Sequence, residues 1–243
     1  MKSSPFAFET EFEARERVIE VCLQMQSSGL NPGKSGNVSV RFDRSAAAGV
    51  LITPSAVPYE QLEPMDIVWL PVDAEHRASL LREDPPEFAP SSEWPMHLAL
   101  YTRRDAQAVV HTHSQDATAL SCCSAIQAGG IPPFHYMTAA AGGSHIPCAR
   151  YATFGSEQLS QHMLVAIEGH KACLLAHHGV MAFSLRKGGE GLQQALALAH
   201  EVEHLAGTYL KSMAAGGPEI LDAGEMHRVS QQFAKRSYGG FQR

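Results

Sequence analysis

The chain has 243 residues, 44% of them apolar and 18% charged, with a formal net charge of −6. That length suits one large domain better than two, and the apolar share supports a real core. The negative balance argues against a nucleic-acid footprint, no apolar run is long enough to span a bilayer, and Met1–Glu20 lacks the apolar stretch of a signal peptide.

The first predicted element is a helix over Glu11–Ser28, stopped by Gly29 and followed by the turn Asn31-Pro32-Gly33. Gly36–Phe42 alternates and reads as a strand; Val50–Thr53 and Asp66–Val72 are two more, the former closed by Pro54. Arg77–Pro90 is polar and rich in proline, and reads as a surface loop. Pro95–Arg104 is a helix opening just after Ser91-Ser92-Glu93. Ala106–His113 is an apolar, β-branched strand, Ser114–Ile126 a helix, and Gly130–Gly143 an irregular segment. Ser156–Gly169 is a helix with Ser156 as N-cap and Gly169 past its end. Ala172–Ser184 holds two strands, Gly191–Met213 a long amphipathic helix, and the tail from Glu225 is helical before Tyr238-Gly239-Gly240. Strands adjacent in sequence, interleaved with helices, indicate a mixed, partly antiparallel sheet covered by helices. Neither an internal repeat nor a linker divides residues 1–243. The five cysteines are odd in number and irregularly spaced, so they form no disulfide framework. Adjacent Cys122 and Cys123 read as core thiols, and the chain as a cytosolic one.

The chemistry concentrates at strand ends. In Val109-Val110-His111-Thr112-His113 the two imidazoles stand two residues apart, so a strand turns both to one face. Leu174-Leu175-Ala176-His177-His178-Gly179 ends a second apolar run with another histidine pair. Three histidines from two strand ends are a sufficient ligand set for a catalytic zinc with one open position. Two such histidines also serve to cap an edge or satisfy buried carbonyls. Three turns carry hydroxyls or amides. Gly36-Asn37-Val38-Ser39 allows close backbone approach to an anion, Thr53-Pro54-Ser55 closes a strand, and Ser91-Ser92 precedes a helix N-terminus, where phosphate is favoured. Composition alone leaves open whether they meet. Glu93, next to the double serine, is either a metal ligand or general base, or else a first-turn glutamate. His200-Glu201-Val202-Glu203-His204 fits the zinc-protease pattern H-E-x-x-H, but the extended form needs a third histidine where Leu210 stands. That helix is apolar on two faces and reads as packed.

Seven segments together resemble the class II aldolase/adducin family, and within it most closely the zinc-dependent L-fuculose-1-phosphate aldolases. They are SGNVSVR (Ser35–Arg41), ITPSAVPYEQL (Ile52–Leu62), PSSEW (Pro90–Trp94), AVVHTH (Ala108–His113), HYMTAAAGGSHIPCARYATFG (His135–Gly155), LLAHHG (Leu174–Gly179) and AHEVEHLA (Ala199–Ala206). They occur in the family's order over nearly the whole chain. The resemblance implies a single-domain α/β/α sandwich around a mostly antiparallel sheet, in a homotetramer with sites at subunit interfaces. It implies one Zn2+ per subunit on His111, His113 and His178, with His177 excluded, and Glu93 as acid/base, a possible fourth ligand in the free enzyme. It implies that Asn37, Ser55, Ser91 and Ser92, with the Gly36 backbone and the turn at Ala56, hold a substrate phosphate. Tyr136 and, from the tail, Tyr238 would reach a neighbouring subunit's site as proton donors. The implied reaction is reversible cleavage of a ketose phosphate to dihydroxyacetone phosphate and an aldehyde through a zinc-held enediolate.

Two positions depart from the fuculose-phosphate aldolases. Ala56 stands where they have Gly in the turn that meets phosphate, and Lys34 where they have a small hydroxyl residue. Other activities in the family are L-ribulose-5-phosphate 4-epimerase and decarboxylation of sugar-acid phosphates; adducin-like members are non-enzymatic interaction domains. Epimerases tend to carry Asp at the position of Glu93 and lack the HYM segment around Tyr136. Intact His111, His113, His178 and Glu93 favour an enzyme.

Overall fold

The computed structural model describes residues 8–45, 47–83 and 85–235. Seven strands form one sheet: β1 (Asn37–Arg41), β2 (Gly49–Ile52), β3 (Val68–Pro71), β4 (Ala108–Thr112), β5 (Cys148–Ala149), β6 (Ala172–Leu175) and β7 (Gly179–Ser184), in the order β3-β2-β1-β4-β7-β6-β5. Every pairing is antiparallel except β5 with β6. Helices α1 (Glu11–Ser27), α2 (Ala74–Glu83), α3 (Trp94–Arg103), α4 (Gln115–Ser121), α5 (Ser124–Gly129), α6 (Glu157–Ala166), α7 (Gly188–Ala214) and α8 (Ala223–Lys235) surround it.

The alternation along β4 explains the layering. Ala108 and Val110 enter one core with Val18, Val21, Leu196 and Val202 of α1 and α7. Val109 enters a second core with Met96, Leu100, Leu159 and Met163 of α3 and α6. Both faces of the sheet are thus dry, and each fully buried aliphatic side chain contributes roughly 1.5–3 kcal/mol. This is the expected three-layer α/β/α sandwich on a mostly antiparallel sheet.

Local signals set most boundaries. Thr10 accepts a hydrogen bond from the Glu13 amide and starts α1, while Ser156 accepts from Leu159 and starts α6. Gly29 and Gly169 follow their helices with φ of +72° and +74°, the left-handed geometry glycine tolerates.

Four expectations need correction. The segment read as a loop from Arg77 contains α2; Asp73 Oδ1 accepts from the His76 amide to start it. It buries no residue and so showed no apolar period. The helix expected over Ser114–Ile126 breaks into α4 and α5 at Cys122 and Cys123, which are exposed rather than core thiols. The long helix starts three residues earlier than expected, at Gly188. The irregular segment after Gly130 includes a 3-10 turn over Tyr136–Ala141.

Candidate metal centre and phosphate cleft

β4 is the middle strand, and its C-terminal end carries the site. His111 pairs across β1 with Asn37 and across β7 with Met181. The strand pleat puts His111 and His113 on the same side, with ring centroids 4.9 Å apart. The β6–β7 turn brings His178 to 4.9 Å from His111 and 4.7 Å from His113. Within that turn His177 takes a φ of +56°, and its ring contacts Tyr151 and Gln127 instead of the cluster. Gly179 follows because a β-carbon there would collide with the Thr112 carbonyl. Gly36 has the same role on the other flank: a β-carbon would lie 2.6 Å from the His111 carbonyl oxygen.

Glu93 occupies the N-cap position of α3, but its carboxylate caps nothing. It turns toward the C-terminal end of β4, 3.0 Å from His111 Nε2 and 2.8 Å from His178 Nε2, and accepts a 2.8 Å hydrogen bond from Asn37 Nδ2. The first-turn reading of Glu93 is therefore incorrect; the carboxylate belongs to the histidine cluster.

The protonation pattern suits a cation. Burial alone would raise the Glu93 carboxyl, yet His111 and then His178 pull it below the ordinary carboxylate range. Burial lowers His111, but the Glu93 charge, the hydrogen bond to Glu93 and the one to the Val180 carbonyl together outweigh it and raise that imidazole. Burial, then the neighbouring His111 and His178, push His113 down to about 3. His111 Nδ1 donates to the Val180 carbonyl at 2.8 Å, leaving Nε2 as the ligand nitrogen. The ligand atoms of Glu93, His111, His113 and His178 all lie within 4.8 Å of one another. Tetrahedral Zn–N bonds of about 2.0–2.1 Å separate donors by roughly 3.3 Å, so this donor set fits a divalent metal. The H-E-x-x-H residues are not part of it. His200 lies 3.3 Å from Ser28 Oγ, and Glu203 accepts from the Asp116 and Ala117 amides at the start of α4.

A cleft of about 360 Å³ opens from the cluster. Gly36, Asn37, Ser55, Ala56, Ser91 and Ser92 all line it, together with Glu93, His113 and His178. The three turns that composition left unconnected therefore meet. Backbone bonds from the Ser55 amide to Ala89 and from the Ser91 amide to Thr53, with Ser55 Oγ donating to the Pro90 carbonyl, join the second turn to the third, and the Thr53 amide, donating to the Val38 carbonyl, joins it to the first.

The class II aldolase and adducin N-terminal domain model matches residues 16–210. The chain belongs to that family. Among its relatives, the L-fuculose phosphate aldolase of Escherichia coli (strain K12) is 44% identical, covering 92% of this chain and 94% of that protein. The 5-methylthioribulose-1-phosphate/5-deoxyribulose-1-phosphate aldolase of Rhodospirillum rubrum is also 44% identical, covering 93% and 92%. A solved L-fuculose 1-phosphate aldolase superposes with a TM-score of 0.79 at 31% identity, covering 95% of this chain and 99% of the other. This is an enzyme of the class II aldolase type.

The two departures from the fuculose-phosphate pattern turn out to touch. Ala56 keeps a φ of +65°, the conformation a glycine would take without strain. Lys34 Nζ donates to the Ala56 carbonyl at 2.6 Å. Lys34 is also the one lysine or arginine among the described residues lining the cleft.

Tyr136 stands 45% exposed beside α8, outside the cleft of its own chain. Tyr238 lies outside the described residues. Sequence reasoning gave no role to Tyr151 and Phe154, both exposed cleft residues. It also missed Asn31 and Tyr59. Asn31 accepts from the His113 amide and donates to the Tyr59 hydroxyl, which donates to the Gly36 carbonyl. An asparagine before Pro-Gly reads as a turn residue, and nothing in its spacing signals that longer-range role.

Proposed function

We propose that this aldolase-family chain is a zinc-dependent enzyme that reversibly cleaves a ketose 1-phosphate to dihydroxyacetone phosphate and an aldehyde. Fuculose 1-phosphate and 5-substituted ribulose 1-phosphates are the candidate substrates, from the names of its relatives. The observation that carries the reading is one buried carboxylate facing three imidazole nitrogens at the inner end of a cleft rimmed by serine and asparagine. His111, His113 and His178 would hold the zinc, which would supply Lewis-acid polarisation of the ketose carbonyl. Asn37, Ser55, Ser91, Ser92 and the Gly36 backbone hold the phosphate by hydrogen bonds, and Lys34 supplies positive charge at the rim.

In the synthetic direction Glu93 removes the proton from the carbon next to the carbonyl of dihydroxyacetone phosphate. That carbon attacks the aldehyde, and a tyrosine hydroxyl donates a proton to the aldehyde oxygen. Tyr136 from a neighbouring subunit, with Tyr238, fills that role, because Tyr136 does not line its own chain's cleft. Cleavage runs the same transfers in reverse. A cytoplasmic homotetramer follows as part of this reading.

The experiment is a panel of ketose 1-phosphates, ketose 5-phosphates and phosphorylated sugar acids, assayed with zinc-loaded protein for loss or isomerisation of each substrate, with release of dihydroxyacetone phosphate as the sign of aldol cleavage. Turnover confined to the 5-phosphates or the acids would replace this reading with an epimerase or a decarboxylase.

A further inference from the structure

A line of buried polar groups runs from Glu93 away from the cleft and into the core beneath α3. Asn37 Nδ2 lies 2.8 Å from Glu93 Oε2, and Asn37 Oδ1 lies 2.5 Å from His97 Nε2. His97 Nδ1 is 2.6 Å from Ser39 Oγ, which is 2.9 Å from the Tyr101 hydroxyl. All five residues are buried, and His97 is fully so.

Each proton in this line is forced by its neighbour. A carboxylate only accepts, so the Asn37 amide must present its nitrogen to Glu93 and its oxygen to His97. His97 Nε2 must then carry a hydrogen and donate it. Its Nδ1 is bare and accepts from Ser39, whose oxygen accepts from Tyr101. Four donors are thereby aligned toward one carboxylate. Burial, and next the charge of His111, push the His97 imidazole down to about 3, so it stays neutral in the working range.

We propose that His97 is a positioning residue: it locks the Asn37 amide so that one N–H holds Glu93 while the second is left for a phosphate in the cleft. The proposal rests on Glu93 and Asn37 having the roles given above. Without the Nε2–H donor, Asn37 Oδ1 would be left buried and unpaired, the amide would rotate to satisfy it, and both of its contacts would be lost.

Two substitutions separate this from simple packing. In His97→Gln the side-chain amide reaches the position of Nε2 and keeps the donor to Asn37. In His97→Asn it reaches only Nδ1, keeping Ser39 but losing Asn37. Leu100→Ala removes volume from the same buried helix face and serves as the control for loss of stability alone. Binding of inorganic phosphate to the zinc-loaded protein is followed by calorimetry, with melting temperature and metal content measured alongside. The expected result is affinity weakened on the order of 10-fold or more in His97→Asn, as for loss of a hydrogen bond to a charged group. It is restored in His97→Gln and unchanged in Leu100→Ala despite a lower melting temperature. Parental affinity in His97→Asn, or equal weakening in Leu100→Ala, overturns the proposal. Imidazole 15N shifts of metal-free protein provide a reading independent of ligand and activity. They should show His97 protonated on Nε2; protonation on Nδ1 overturns the relay even if the aldolase reading stands.

Discussion

Replacing Glu93 by Gln isolates the proton-transfer step. The amide matches the carboxylate in shape and still accepts from Asn37, whose nitrogen lies 2.8 Å away. The cost to the fold is the exchange of charge-assisted bonds for neutral ones, on the order of 1–2 kcal/mol. Zinc retention should survive, because His111, His113 and His178 remain, and His111 keeps its bond to the Val180 carbonyl. Catalysis should not survive. An amide accepts no proton near neutrality, and a positioned base is worth roughly 100- to 10,000-fold, or about 3–5 kcal/mol of barrier. The assay is exchange of the α-proton of dihydroxyacetone phosphate with deuterated solvent, followed by NMR, which needs neither aldehyde nor tyrosine. Exchange should run in the parent, stall in Glu93→Gln and persist in Tyr136→Phe. Exchange at the parental rate in zinc-loaded Glu93→Gln would falsify the assignment of Glu93 as base. No exchange in the parent would point to a different substrate class.

Alanine at His111, His113 or His178 should abolish metal retention, measured as metal per chain by native mass spectrometry, whereas alanine at His200 or His204 should leave it intact; the opposite pattern would move the metal to α7. In metal-free protein, melting temperature should rise with pH up to about 6.5, because His97 and His113, lowered to about 3, and Glu93, also lowered, release protons on folding below their unfolded values. It should fall above 6.5, the unfolded value of His111, whose raised folded value makes the folded state hold the extra proton. Saturating zinc should remove that decline, since a ligated His111 holds no competing proton; a decline of equal size with zinc would show that His111 is not a ligand. Ala56→Gly should raise the melting temperature by about 1–3 °C, since release of roughly 1–2 kcal/mol of left-handed strain exceeds the added freedom of the unfolded chain; a drop would show that the methyl packs usefully.

The sequence made the sheet and the histidines legible because both depend on short-range rules. Alternation along Ala108–Thr112 fixes which residues share a face, so the convergence of His111 and His113 could be read directly. His178 over His177 could not, since the choice rests on a left-handed backbone at His177 in a turn whose geometry no spacing announces. The cleft was legible only as three separate turns. Its assembly depends on the pairing of the Thr53–Ser55 stretch with Ala89–Ser91, a contact across more than thirty residues. α2 was missed because an exposed helix lacks the apolar period that marks a buried one. Asn31, Tyr59 and His97 escaped notice for a related reason: each acts through buried bonds to residues distant in the chain, and each looks ordinary in its own segment.

The site divides physically into a fixed part and a variable part. Asn37, Glu93 and His111 are buried, tied to strand pairing or to the core beneath α3, and close-fitting glycines flank them at Gly36 and Gly179. A one-atom change there meets backbone. The rim differs: Lys34, Tyr151 and Phe154 are exposed, and Ala56 sits in a turn held by a lysine hydrogen bond. Substitutions at the rim alter charge and shape without disturbing the cluster. Under the proposed function, proton abstraction would belong to the centre of the sheet and the choice of substrate to the rim. The Lys34–Ala56 contact lies on that rim, so replacing either residue changes the cleft's charge or turn while the histidine cluster stays in place.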